Sequence, residues 1–135
     1  MLKLNPNPTF AWPVKFKSPE GEQTLNLLFK HMPVEEYQAW WDAAMQRHVD
    51  FLAALEKHTE AVKAAAAAGS VLPEAPKPAK AGIDELMEIV AGWTEVDAEF
   101  SREALQRLLS NYHDLTVKKI SAAWIEGLQQ TKVEN

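Results

Sequence analysis

Tyr37, Trp41, Ala44, His48, Phe51, Leu55, His58 and Val62 recur at alternating spacings of four and three. A repeat with a period near 3.5 puts all of them on one stripe of an α-helix. Pro33 suits a first helical turn, and Glu35 and Glu36 follow where the helix dipole favours negative charge. The pattern therefore predicts one long helix over 33–68, stopped at Gly69. Its final stretch, 64–68, is all alanine: high in helix propensity, but with almost nothing to bury. Two stripe positions are histidines, expected to be half-buried and satisfied by a neighbour or water.

Ahead of that helix the chain alternates. Val14 and Phe16 share one face, as do Leu25, Leu27 and Phe29, and Ser18-Pro19-Glu20-Gly21 lies between them. The pattern predicts a β-hairpin within residues 1–32. Pro19 presets the first central position of a type I turn and Gly21 suits its last. Pro13 has no N–H for a ladder, so the first strand is expected at an edge, where it offers an assembly surface. A lone hairpin is marginally stable and has to pack on helices or pair with another chain.

Beyond the long helix, residues 69–82 carry Pro73, Pro76 and Pro78 among small residues and lysines and read as an extended linker. Residues 83–130 then predict three short helices. Ile83, Leu86, Met87 and Val90 mark the first buried face, with Gly92-Trp93 closing that helix. Ser101 caps a second helix, which buries Leu105, Leu108, Leu109 and Tyr112. Asp114 is expected to cap the third, which buries Val117, Ile120, Trp124 and Leu128. Trp93 and Trp124 are expected in the core. The whole is a mainly α chain with an N-terminal β-hairpin (α+β), read as a single domain over 1–135.

Composition narrows the function. Fourteen Lys and Arg against nineteen Asp and Glu give a net charge of −5, with no dense basic stripe, which argues against a nucleic-acid partner. Cysteine is absent, so there is no disulfide framework, thiol nucleophile or thiolate metal site. No apolar run approaches the roughly 20 residues that span a bilayer, and no secretory leader pattern opens the chain, so a soluble, unexported protein without a membrane partner is expected.

Motifs for chemistry are missing in the same way. Neither a phosphate-binding loop nor a dinucleotide fingerprint appears among the glycines. His31, His48, His58 and His113 do not stand three or four residues apart, as a helical zinc pair requires. Glu95, Asp97 and Glu99 precede a helix, where carboxylates serve the dipole, and Ser101 lacks the setting of a nucleophile. No catalytic residue, cofactor or metal ligand is expected. Aromatic supply is rich, with five Trp, and Trp is prominent at binding hot spots. Adjacent Trp40 and Trp41 point about 100° apart on a helix and cannot share one spot, so one of them is expected to face a partner. Tyr37, Trp40, Trp41 and Phe51 are accordingly the candidate partner-binding residues.

Residues 89–128 carry a connected pattern: Gly92-Trp93 at the end of one element, an acidic connection with Val96-Asp97, then Phe100-Ser101, a helix with Leu105, Leu108 and Leu109 ending at Tyr112, and a last helix with Trp124. Together with Asn7-Pro8-Thr9-Phe10, the Pro-Glu-Gly turn and Phe29-Lys30-His31 before the long helix, this resembles the tail assembly chaperones of long-tailed, siphovirus-type bacteriophages. The resemblance covers about two thirds of the chain. The Ala-rich stretch and the Pro-rich linker depart from it.

That resemblance implies a non-enzymatic protein that binds the tape measure protein, keeps it soluble and helps tail tube polymerisation around it. It implies a second partner, the tail tube protein, reached through a frameshift-extended product. It also implies residence in the host cytoplasm and absence from the mature virion. A homo-oligomer is expected from the hairpin edge and the long seam. The competing reading is a small structural or completion component of a phage tail, which would be found in purified virions.

Overall fold

The computed structural model describes residues 2–129. Residue 1 of the expected hairpin region and residue 130 of the expected helical region lie outside the described residues. The elements run β1 Thr9–Ser18, β2 Gly21–Lys30, α1 Val34–Ala68, α2 Gly82–Ile89, β3 Val90–Thr94, α3 Arg102–Asn111 and α4 Val117–Gln129. This is the expected α+β class, with the hairpin at the N-terminus and helices forming most of the rest. By its contacts the chain divides into two compact units, Met1–Met32 with Gly82–Asn135, and Pro33–Ala81.

In the first unit, β1 and β2 pair antiparallel with Ser18 opposite Gly21, leaving Pro19 and Glu20 as a two-residue loop. Gly21 takes a φ of +114°, a conformation that favours glycine. Glu20 keeps a negative φ, as a type I turn requires and a type II turn does not. The cross-strand register puts Val14 opposite Leu25 and Phe10 opposite Phe29, so the apolar residues of both strands share one face. Val14, Phe16, Leu25, Leu27 and Phe29 are all buried there.

The hairpin finds the cover it needs from two sources. β3 joins β2 antiparallel, giving the sheet order β1-β2-β3 with β1 at an edge. α4 packs on β1, while α2 touches α4, α3, β2 and β3. Ile83, Leu86 and Ile89 of α2, Leu105 of α3, Leu115, and Ile120, Ala123 and Trp124 of α4 fill the core against the sheet. The opposite face carries exposed Ala11, Lys15, Lys17 and Thr24. A sheet covered on one face and solvated on the other accounts for the alternation along β1 and β2.

In this unit the structure departs from the sequence reading at several points, and Leu108, Leu109, Tyr112, Val117 and Leu128, expected to be buried, are only half-buried. Val90–Thr94, expected as the end of a helix, is a strand: Leu27 faces Trp93 and Leu28 faces Gly92, with a register shift between Leu28 and Phe29. α4 starts later than an Asp114 cap would have it, and the Lys119 N–H donates to Thr116 Oγ1 at 3.1 Å. Trp124 is fully buried as expected, but Trp93 is only half-buried, its indole N–H donating to the Ala98 carbonyl at 2.8 Å. The Ser101 cap holds, with its hydroxyl accepting from Ala104 N–H at 3.0 Å.

In the second unit, α1 is 35 residues long, about 52 Å at 1.5 Å per residue. It ends at Gly69 in the left-handed conformation, φ 68° and ψ 20°, with the Gly69 N–H returning to the Ala65 and Ala66 carbonyls. Residues 70–81 carry neither helix nor strand.

Candidate protein-binding surface

None of the 35 residues of α1 is buried. Instead the helix has two apolar sides. Tyr37, Trp40, Ala44, Phe51, Leu55 and Val62 are half-buried and fall on one side, with Arg47 and His58 among them. Val34, Trp41, Met45, Val49 and Leu52 are between 40% and 79% exposed. At about 100° per residue these five lie within an arc of roughly 80°, rotated about a quarter-turn from the half-buried side. The seam predicted by spacing is thus displaced: Trp40 and Arg47 replace Trp41 and His48 on the half-buried side, and His48 is exposed.

Of the four candidate binding residues, Tyr37, Trp40 and Phe51 share the half-buried side, while Trp41 belongs to the exposed stripe. Their order on the helix brings the two indoles together, with Trp40 and Trp41 ring centroids 6.5 Å apart and tilted by 37°. Met45, Val49 and Leu52 were missed by sequence reasoning. Their spacing from Trp41, four, four and three, was available as a signal.

Carboxylates concentrate on the remaining surface of α1. Glu35, Glu36, Asp42 and Asp50 are all exposed. Two of them are held by glutamines one turn earlier: Gln38 donates to Asp42 and Gln46 to Asp50, each at 2.9 Å.

The other surface expected to bind a partner, the outer edge of β1, is interrupted. The His31 N–H donates to the Pro8 carbonyl at 2.9 Å, which continues the ladder past β1. Alternation along an antiparallel pair then directs the main chain of Ala11, Pro13, Lys15 and Lys17 outward. Pro13 has no N–H to offer there, and the Lys17 N–H donates to Asp114 Oδ2 at 2.7 Å. Two of the four outward positions of this edge therefore offer no free N–H to an added strand.

Asp114 also accepts from Lys119 Nζ at 2.7 Å, and both hydrogen bonds hold its carboxyl below the usual carboxylate range, the Lys119 bond more than the Lys17 one. Beside it Lys17, Ser18, Pro19, Asn111, Tyr112, His113 and Asp114 line an open cavity of about 390 Å³. Across the same unit the Arg102 guanidinium donates to Asp84 at 2.8 Å, a bond that raises its already high pKa. Both partners are exposed, and such a pair tethers α3 to α2 with little effect on stability.

Among the described residues no cluster of three or more His, Asp or Glu is placed to hold a metal ion, and no helix is long and apolar enough to cross a membrane. What the molecule displays is apolar surface on a long helix. A family model described as phage tail assembly chaperone matches residues 1–135. The chain belongs to that family. No curated protein and no solved structure matches it. Membership fits a chain that displays exposed apolar side chains along a long helix.

Proposed function

We propose that this tail assembly chaperone binds the tape measure protein, keeps it soluble in the host cytoplasm while tail tube subunits polymerise around it, and leaves before the virion is complete. The observation that carries the proposal is α1, a 35-residue helix with no buried side chain and an exposed stripe containing Trp41, Met45 and Leu52. An elongated helical client that would otherwise aggregate can lay its apolar side on such a helix. Several copies along one client add avidity without tight individual contacts, so displacement by tube subunits stays easy. Self-association of the chain belongs to the same proposal, as does recruitment of the tail tube protein by a frameshift-extended product. No chemical step is part of it.

Co-expression with the tape measure protein of the same phage, followed by pull-down and a measure of the soluble fraction, tests it. The expected result is soluble tape measure protein copurifying with several copies of the chaperone. Tape measure protein that stays insoluble and unbound would overturn the proposal, and recovery of this chain from purified virions would turn it into a structural component.

A further inference from the structure

We infer that the Val34, Trp41, Met45, Val49 and Leu52 stripe of α1 takes an amphipathic helix whose apolar face is bordered by Lys and Arg. This deepens the proposed function by naming the chemistry of the client segment, and it rests on that reading.

The stripe supplies the shape. Its five residues follow one side of α1 for about 27 Å, the length of five turns, and Trp41, Met45 and Leu52 among them are side chains of the kind that fill grooves around a partner helix. It stops where the apolar character of that side stops, since Glu56, Thr59 and Lys63 continue the same line.

The border supplies the sign. Residues 34–52 contain four carboxylates, Glu35, Glu36, Asp42 and Asp50, and one guanidinium, Arg47. Glu35 and Asp42 stand beside the stripe, about 60° to 90° round from its centre. Arg47 lies on the half-buried side, away from it. A docked helix therefore meets carboxylates along one margin and the imidazole of His48 along the other, with no Lys or Arg beside the stripe.

The same count disfavours a second copy of this chain as the occupant. An antiparallel pairing that buries stripe on stripe sets the two acidic margins against each other, and a parallel one gives them no Lys or Arg to face. Shifting the copies to avoid this sets the stripe against Glu56, Thr59 and Lys63, which offer no apolar partner surface.

The test titrates the full-length protein with two synthetic helices of about 20 residues, long enough to cover residues 34–52. Both carry the same Leu stripe; one is bordered by Lys and the other by Glu. Trp fluorescence or calorimetry should show the Lys-bordered helix binding about tenfold more tightly, the yield of a few charge pairs of modest strength. The preference should shrink as salt rises.

Glu35→Gln with Asp42→Asn should remove most of the preference and leave the apolar contribution. Trp41→Ser with Leu52→Ser should abolish binding while the melting midpoint of the protein is kept. Equal binding of the two helices, or binding of neither, would overturn the inference. So would a dimer in sedimentation that the Trp41→Ser and Leu52→Ser changes dissolve, because a second copy would then fill the stripe. If the tape measure protein is solubilised on co-expression but the helices are not distinguished, this inference fails alone. If they are distinguished but the tape measure protein stays insoluble, the functional proposal fails alone.

Discussion

The main-chain N–H of Lys17 donates to the carboxylate of Asp114 at 2.7 Å, across 97 residues of sequence. A residue of the α3–α4 connection thereby occupies an outward-facing donor of β1, and Pro13 leaves another outward position of the strand without one. The hairpin is tied to the helices at its tip, and its edge is blunted by the same contact. Among the described residues most of the exposed large apolar side chains stand on α1 instead.

Stability should respond to pH through this carboxylate. Its pKa is lowered from the ordinary value of 3.8 by the Lys119 and Lys17 hydrogen bonds. The folded state therefore binds the proton less readily than the unfolded state. The contribution is fully present above about pH 4 and is lost as pH falls through the lower, folded-state value. Asp114→Asn should flatten that part of the acid unfolding profile, measured by melting midpoints at stepwise lower pH. An unchanged profile would show that the two bonds are exchanged for water at no cost.

Close approach of α4 to β1 depends on Gly127. A Cβ built there runs into the Phe10 ring and stands 3.2 Å from Trp12 Cδ2. Alanine has the better helix propensity by roughly 1 kcal/mol, but displacing two aromatic rings in a packed layer costs about 1–3 kcal/mol. Gly127→Ala should lower stability in urea unfolding. A gain would show that the rings move aside freely and that propensity wins.

Trp124 joins the two layers by a polar bond as well as by packing: its indole N–H donates to the Lys30 carbonyl at 2.9 Å, and its side chain is fully buried. Trp124→Phe keeps an aromatic ring but loses that donor and part of the volume. A loss of about 2–4 kcal/mol is expected from the unsatisfied carbonyl and the residual cavity together. Denaturant midpoints measure it, and a loss under about 0.5 kcal/mol would mean that water reaches Lys30 and that the site collapses.

The hairpin, its turn, its edge position and both limits of α1 were legible because each is written in local residues: Pro19 and Gly21, Pro13, Pro33 and Gly69. β3 was not. Ile83, Leu86, Met87 and Val90 carry a helical period up to the point where the chain extends, and no turn residue separates Ile89 from Val90. Only pairing with β2 decides that Val90, Gly92 and Trp93 form a strand, a case of tertiary context overriding local pattern. The start of α4 was missed for a related reason. Asp114 and Thr116 are both acceptable caps, and the Lys17 N–H draws Asp114 away.

On α1 the spacing revealed a stripe but could not orient it. Apolar residues occupy two sides of the helix, and alternating steps of four and three pass through both. Trp40 and Trp41 illustrate the ambiguity: either can be assigned to the seam, and the structure half-buries Trp40 while leaving Trp41 the more exposed.

Gly69 offers a way to test how α1 ends. Its φ is +68°, yet nothing lies within 4 Å of where a Cβ would stand, so substitution is opposed by the backbone and not by packing. A non-glycine residue in this conformation costs roughly 1–2 kcal/mol. The Gly69 and Ser70 N–H groups, which donate to Ala66 and Ala65 at 3.3 and 2.9 Å, are held by that conformation. Gly69→Ala should therefore loosen the alanine run, lowering hydrogen-exchange protection across residues 64–70 by about tenfold or more. The tip has little apolar surface to bury, so the lost backbone bonds are not replaced by packing. Protection equal to that of the parent chain would mean that the helix end is held by contacts of the alanine side chains and not by its cap.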